Sequence, residues 1–350
     1  MNKRNLFLTG LLVVQLALAA FLLWPRNTIV AASPLIGNVK LEDVNKLSII
    51  EGDKTIQISK SGDKWSLPDR GDFEVLAPSV TDLISKVLQI NSSRLVASNV
   101  ANFSQLKVAD NDFAKKIELT TGGGETIALL VGSSPNTRAT NVRLAGDNNV
   151  YLTDKVSGAD VRTDYSTYVN TSYFSADADR ISALAFSNTN GTLEGSKDIS
   201  GTWQLAGLQS GESFSSTTFA GLPSKLINLS FTEPLGKEAK PEYGLDAPQA
   251  TITMTVRPGA EVTDTTAAPE VVTLQIGAKS DSDSSYFVKS SKSDYYVKVS
   301  SFTLQDFVEK KRDDYVAAAA LAPLVAGESF TETVPLSESA PITSSEVVTP

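Results

Sequence analysis

Apolar and polar positions alternate in short runs along most of this chain. Leu47-Ser48-Ile49-Ile50 and Thr55-Ile56-Gln57-Ile58 flank Glu51-Gly52-Asp53-Lys54. A period of two on both sides of a glycine-containing turn predicts a β-hairpin. Trp65-Ser66-Leu67 follows a further turn, Ser61-Gly62-Asp63. The period then changes. Val80, Leu83, Ile84, Val87 and Leu88 recur at helical spacing behind Pro78, which suits a first helical turn. Alternation returns on both sides of Thr121-Gly122-Gly123-Gly124, and again where Gly146-Asp147-Asn148 joins Asn141–Leu144 to Val150–Leu152. Val161 to Phe174 is aromatic, rich in Asp and Thr, and shows neither period.

The pattern is then written a second time. Ile181-Ser182-Ala183-Leu184 matches the first hairpin strand, and Trp203 follows Trp65 by 138 residues. Phe219, Leu222, Leu226, Ile227 and Leu229 follow Val80, Leu83, Val87, Leu88 and Ile90 by 139, as Leu245 follows Leu106. Gly277 and Tyr296 follow Gly132 and Tyr151 by 145. The single jump in offset falls on Arg257 to Glu270, rich in Pro, Thr and Ala, where a longer hairpin loop is expected. Pro223 lies inside the second helical pattern and is expected to restart the helix there. The fold class read from these runs is α+β. Two tandem similar modules, residues 46–174 and 181–316, each carry an antiparallel sheet and one main helix.

The ends of the chain read differently. An uncharged run of 19 residues, Leu6 to Trp24, follows Lys3 and Arg4 and precedes Arg26. As a helix it is about 28 Å long, close to a bilayer's hydrocarbon core of roughly 30 Å. Residues 1–26 therefore read as a cytoplasmic tip and a retained single-pass membrane anchor, with the bulk of the chain extracytoplasmic. The rival reading is a signal peptide cleaved before Ser33, but the apolar run exceeds the usual signal core. Residues 27–45 read as a spacer. From Ala317 to Pro350 the sequence holds four glutamates and no Lys or Arg, in an Ala/Pro/Ser/Thr background expected to be disordered.

Composition narrows the chemistry. The 350 residues include no Cys and no His, and the net charge is −9. Disulfides and thiolate metal sites are excluded, as is the commonest general base. An acidic chain without a basic stripe is not expected to bind nucleic acid. Arg70-Gly71-Asp72 reads as turn residues despite spelling an adhesion tripeptide. Asp281-Ser282-Asp283 begins like a calcium loop but has Tyr286 and Lys292 where Gly and Glu are required. Ser61-Gly62-Asp63-Lys64 has the serine acyl-enzyme spacing in a turn, without the companion elements of those enzymes. Gly122-Gly123-Gly124 lacks the strand-loop-helix context and Lys-Ser/Thr ending of a phosphate cradle. Trp65 and Trp203 read as core residues closing each sheet. Asn91, Asn102, Asn170, Asn190 and Asn228 open Asn-x-Ser/Thr triplets, which matter only in a glycosylating host. No residue is assigned to catalysis, cofactor binding or metal binding, and no cofactor is expected.

The order Trp-x-Leu, apolar helix, Tyr243-Gly244-Leu245-Asp246-Ala247-Pro248, a strand ending in Ile276-Gly277 and Tyr295-Tyr296-Val297 resembles a bacterial family, domain of unknown function 4340. The likeness spans about residues 46–316. It is diluted in the first copy, where Ser104-Gln105-Leu106-Lys107-Val108-Ala109 lacks the Tyr, Gly and Pro. The resemblance implies one N-terminal membrane helix and a setting beside ABC-type export systems, and it carries over no catalytic residue. The expected function is a membrane-anchored, extracytoplasmic accessory or scaffold protein without enzymatic activity, whose partners are ABC-type transporter components. The alternative is an envelope glycan-binding module that stacks sugars on Tyr165, Tyr168, Tyr173 and Phe174. A carboxylate-based hydrolase would need two Asp or Glu about 5–10 Å apart in a cleft.

Overall fold

A computed structural model of the chain describes residues 12–16, 32–259 and 268–317. Leu12–Leu16 are helical and exposed, and the remainder of the apolar run Leu6–Trp24 lies outside the described residues. Among the described residues no helix is long and apolar enough to cross a membrane. Residues 318–350, expected to be a disordered tail, also lie outside them.

The fold is strand-rich α+β, dominated by two large antiparallel sheets with few helices. The first sheet contains Val44–Glu51 (β1), Lys54–Ser61 (β2), Lys64–Leu67 (β3), Phe73–Glu74 (β4), Leu95–Ala97 (β5), Lys115–Thr121 (β6), Thr126–Val131 (β7), Thr140–Leu144 (β8) and Val150–Thr153 (β9). Their spatial order is β4-β3-β2-β1-β6-β7-β8-β9-β5. The helix Ala77–Leu88 (α1) lies between β4 and β5 in the chain. The second sheet contains Ile181–Asn188 (β10), Gly191–Lys197 (β11), Trp203–Leu205 (β12), Glu233–Gly236 (β13), Ala250–Val256 (β14), Glu270–Lys279 (β15), Ser285–Ser290 (β16) and Tyr296–Ser300 (β17). Their order is β12-β11-β10-β14-β15-β16-β17-β13.

The alternating runs form the strands because each pleat buries one face. β1 buries Leu47 and Ile49, and β14 buries Ala250, Ile252, Met254 and Val256. The hairpin turn Glu51-Gly52-Asp53-Lys54 is observed, with Gly52 in the left-handed region at φ 57°. α1 buries Val80, Leu83, Ile84 and Val87, the stripe given by its period. Trp65 and Trp203 are both buried, on the third strand of their respective sheets.

The second helix, Ser216–Leu226, corrects one expectation. It runs unbroken through Pro223 instead of restarting there. Proline removes only the bond to the carbonyl four residues back, and this one sits in the last helical turns with its ring buried. Its own carbonyl accepts from Ile227 N–H at 3.1 Å. Leu229, expected on the helix face, belongs instead to the short strand Asn228–Ser230.

The segments between the sheets join them. The aperiodic stretch after Val161 forms a short turn of helix at Tyr165–Thr167 and then the strand Ser172–Ser175, which pairs with Asn228–Ser230. The chain before β1, expected as spacer, is packed from Ser33 onward. Leu35 N–H donates to Ile90 O at 2.8 Å, and Ile36 is buried. Buried residues of both sheets form one contiguous apolar cluster.

Candidate functional site

A cleft of about 760 Å³ lies where the two halves meet. One wall comes from the β1–β2 turn, with Asp53, Lys54 and Thr55. A second comes from the connecting segment, with Thr163, Tyr165, Ser166 and Thr171, and the third from the second sheet, with Thr232, Glu233, Ser282, Asp283 and Lys298.

A chain of charges runs along this cleft. Arg70 donates from Nη2 to Glu233 Oε1 at 2.8 Å and to the Tyr165 hydroxyl at 2.6 Å. Glu233 turns its other oxygen to Lys298 Nζ at 3.1 Å, and Lys298 reaches Asp283 at 3.1 Å. Burial is the largest single influence on Lys298 and lowers it. The hydrogen bond to Asp283 and the charge of Glu233 outweigh that, holding the ammonium above its ordinary value. Burial likewise acts first on Asp283, raising it, but the Ser285 hydroxyl and Lys298 hold the carboxyl below the usual range. Arg70 behaves as Lys298 does: burial opposes its charge, and Tyr165 and Glu233 more than offset it. Both carboxylates thus pair with Lys298, an arrangement that ties Glu233, Lys298 and Asp283 together.

Beside the charges is an aromatic joint. Phe73 from the first sheet packs edge-on against Phe231 at 5.4 Å and Tyr295 at 4.6 Å. The Tyr295 hydroxyl donates to Gly71 O at 3.2 Å. Tyr173 donates to Tyr295 O at 2.7 Å and accepts from Ser290 N–H at 2.9 Å. Burial pushes the Tyr173 hydroxyl up to about 12.

The sequence candidates fall as follows. Arg70-Gly71-Asp72 is a turn, with Gly71 and Asp72 both at positive φ, and its arginine is the cross-half ion partner. Nothing in local spacing signals that role, since Arg70 and Glu233 are 163 residues apart. Asp283 is engaged by Ser285 and Lys298, and among the described residues no group of three acidic side chains could hold a metal. Ser61–Lys64 and Gly122–Gly124 are hairpin turns. Tyr168 is buried, Tyr173 donates to Tyr295 O, Tyr165 is bound to Arg70, and Phe174 is half-buried against the core.

A second local device lies on each sheet, away from the cleft. In the first half, the carbonyl of Leu106 lies against Gly132, at the end of β7, and Lys107 is left-handed at φ 57°. In the second, the carbonyl of Tyr243 lies against Gly277 of β15, and Gly244 is left-handed at φ 62°. Only a residue without Cβ admits a backbone carbonyl so close. Arg143 on β8 donates from Nη1 to the carbonyls one and four residues ahead, Leu144 and Asp147. Lys289 on β16 donates to the carbonyls one and four residues ahead, Ser290 and Ser293.

No curated protein and no solved structure matches the chain. A family model does, over residues 65–242, from the third strand of the first sheet to the residue before Tyr243. That match straddles both halves and the cleft between them, and it covers half of the chain: the protein belongs to the family described as Domain of unknown function (DUF4340).

Proposed function

We propose that this protein is a membrane-anchored, extracytoplasmic scaffold or accessory protein, without turnover of its own, that associates with components of an ABC-type export complex. The observation that carries this reading is the joint at the cleft. Arg70, Glu233, Lys298 and Asp283 are spent on one another, and Phe73, Phe231, Tyr173 and Tyr295 are spent on packing the halves together. Such a joint ties the two sheets to one another, which suits a part that presents surfaces to partners. The same commitment of the tyrosines weighs against the glycan-binding alternative. The apolar run Leu6–Trp24 supports the membrane location, and confinement to one surface raises the effective concentration for a membrane-embedded partner.

The proposal includes two tandem copies of one unit. Support comes from the similar strand orders, in which a meander of four strands in the first half and three in the second, a helix, a far-edge strand and a four-strand meander follow in turn. The glycine contacts and the Arg143 and Lys289 bonds add to it. These contacts pair Leu106 with Tyr243 and Val108 with Leu245, two residues away from the sequence-based pairing of Leu106 with Leu245. Gly132 with Gly277 and Trp65 with Trp203 are kept.

Cross-linking in intact membranes tests the scaffold reading. The expected result is capture of a transporter or envelope-assembly component. Capture of only abundant, unrelated membrane proteins would sink it.

A further inference from the structure

The first described turn of the chain is pinned next to an unusual edge. Ser92 N–H donates to Ser33 O at 3.0 Å, and Pro34 bridges Asn91. Two residues beyond Ser92 the chain reads Arg94-Leu95-Val96, and β5 forms the edge of the first sheet. Leu95 is 57% exposed, Val96 45%, and Val100, in the turn that follows, 64%. Scattered exposed aliphatics need no account, but three within six residues beside two arginines do. Arg94 and Arg138 line one shallow cleft of about 640 Å³ with Asn136, Thr137 and Asp154. Neither guanidinium has an ion pair or a side-chain hydrogen bond among the described residues, whereas Asp154 is paired with Lys155 at 3.5 Å. The patch is apolar with unspent positive charge, on a chain whose net charge is −9.

Its position supplies the occupant. Only eight residues, Pro25 to Ala32, separate the apolar run from Ser33. Fully extended, eight residues span at most about 29 Å. If Leu6–Trp24 is in a bilayer, the edge that begins beside Ser33 is held within that distance of its surface. We propose that Arg94, Leu95, Val96, Val100 and Arg138 form a surface that rests on anionic lipid headgroups, the arginines on phosphates and the aliphatic side chains in the interface. The inference rests on the anchored reading above. It adds an orientation: the β5 edge of the first sheet faces the membrane. Guanidinium forks match phosphate oxygens, and aliphatic side chains gain from partial withdrawal from water at the headgroup level.

The absence of cysteine makes the test direct. Val14→Cys, Val100→Cys and Ile199→Cys each accept one fluorescent label in the full chain, reconstituted in vesicles containing phosphatidylglycerol and bromine-bearing lipid. Ile199 is fully exposed in the turn after β11 and serves as the aqueous control. Labels at Val14 and Val100 should be quenched, and the label at Ile199 should not. Arg94→Glu with Arg138→Glu should weaken the Val100 contact by at least about fivefold per arginine on anionic lipid. Both arginines are exposed, so the fold should tolerate the change. Quenching at Val14 but not at Val100 would overturn the headgroup contact and leave the anchor standing. An unquenched Val14 label would overturn both. A Val100 label shielded from aqueous iodide but untouched by lipid bromine would put protein on the patch, a second copy or residues 318–350, and would also overturn the proposal.

Discussion

The turn at Leu106-Lys107-Val108 and the turn at Tyr243-Gly244-Leu245 do the same job with different chemistry. Each presses a carbonyl onto a glycine of the neighbouring strand and bends back through a left-handed residue. In the first half the turn is held by Arg143, which is 1% exposed. It donates to Val108 O at 2.7 Å and to Asp110 at 2.6 Å, and lies 4.3 Å over the Phe103 ring. In the second half the turn is held by rings. Tyr243 stacks on Phe287 at 4.8 Å and lies 5.6 Å from Tyr296, while Lys289 spends its bonds on its own hairpin. A buried cation has been used where the other half uses aromatic area. The lesson is that the glycine contact fixes the geometry, and the means of filling the space beside it is free to vary.

The largest effect should separate the halves. Arg143→Met removes the side-chain donor to the carbonyls of Val108 and Asp147, and should cost about 3–5 kcal/mol. Lys289→Met removes hydrogen bonds from a half-buried, less committed group and should cost about 1–2 kcal/mol. Urea unfolding of the two variants measures the gap, and equal losses would mean that the two cations are equivalent after all. Next, Gly132→Ala and Gly277→Ala should each cost about 3 kcal/mol, because the new methyl group would overlap a backbone carbonyl in both cases. If either is tolerated, the shared geometry is not a requirement.

The joint between the halves should respond less. Arg70→Gln leaves Glu233 its bond to Lys298, so a loss of about 1–2 kcal/mol is expected. Thermal melts would show whether the halves then separate into two transitions; one transition would mean that the aromatic joint suffices.

The smallest effect is one of pH and concerns only the second half. There the strand Ser213–Phe214 pairs with Val316–Ala317, beside Arg312 and Glu212. The Arg312 guanidinium, helped by the Gln209 N–H, holds the Glu212 carboxyl down to about 2. A depressed carboxylate stabilises the fold above its unfolded value of about 4.3, and that contribution is lost as pH falls toward 2. Protection of the Ser215 amide, which donates to Tyr315 O, should therefore fall over that window once corrected for intrinsic exchange, and Glu212→Gln should remove the pH dependence of that protection. A variant that keeps it would point to another carboxylate.

Much of the architecture is legible in the sequence. A strand exposes its period locally, so Thr251–Val256 announces itself, and the helix over Val80–Val87 does the same. Trp65 and Trp203 were readable as core because large rings flanked by alternating residues have few other places to go. The cleft was not legible. Arg70 sits in a turn whose residues all look like turn formers, and Tyr165 and Tyr173 lie in a stretch without a period. Their partners, Glu233, Ser290 and Tyr295, are far off in sequence, so no local signal could join them.

The sequence by itself determined the strand-rich class and, through the lack of His and Cys, the narrow range of side-chain chemistry. Those are properties of short windows and of composition, where side-chain period and residue type act directly. Only the tertiary structure decided which carbonyls lie against Gly132 and Gly277, that Tyr165 and Tyr173 are bound where the halves meet, and that Arg70, Glu233, Lys298 and Asp283 form one line of charge. These are contacts between distant residues, set by how two twisted sheets meet, and no period along the chain encodes which side chains face one another across that meeting.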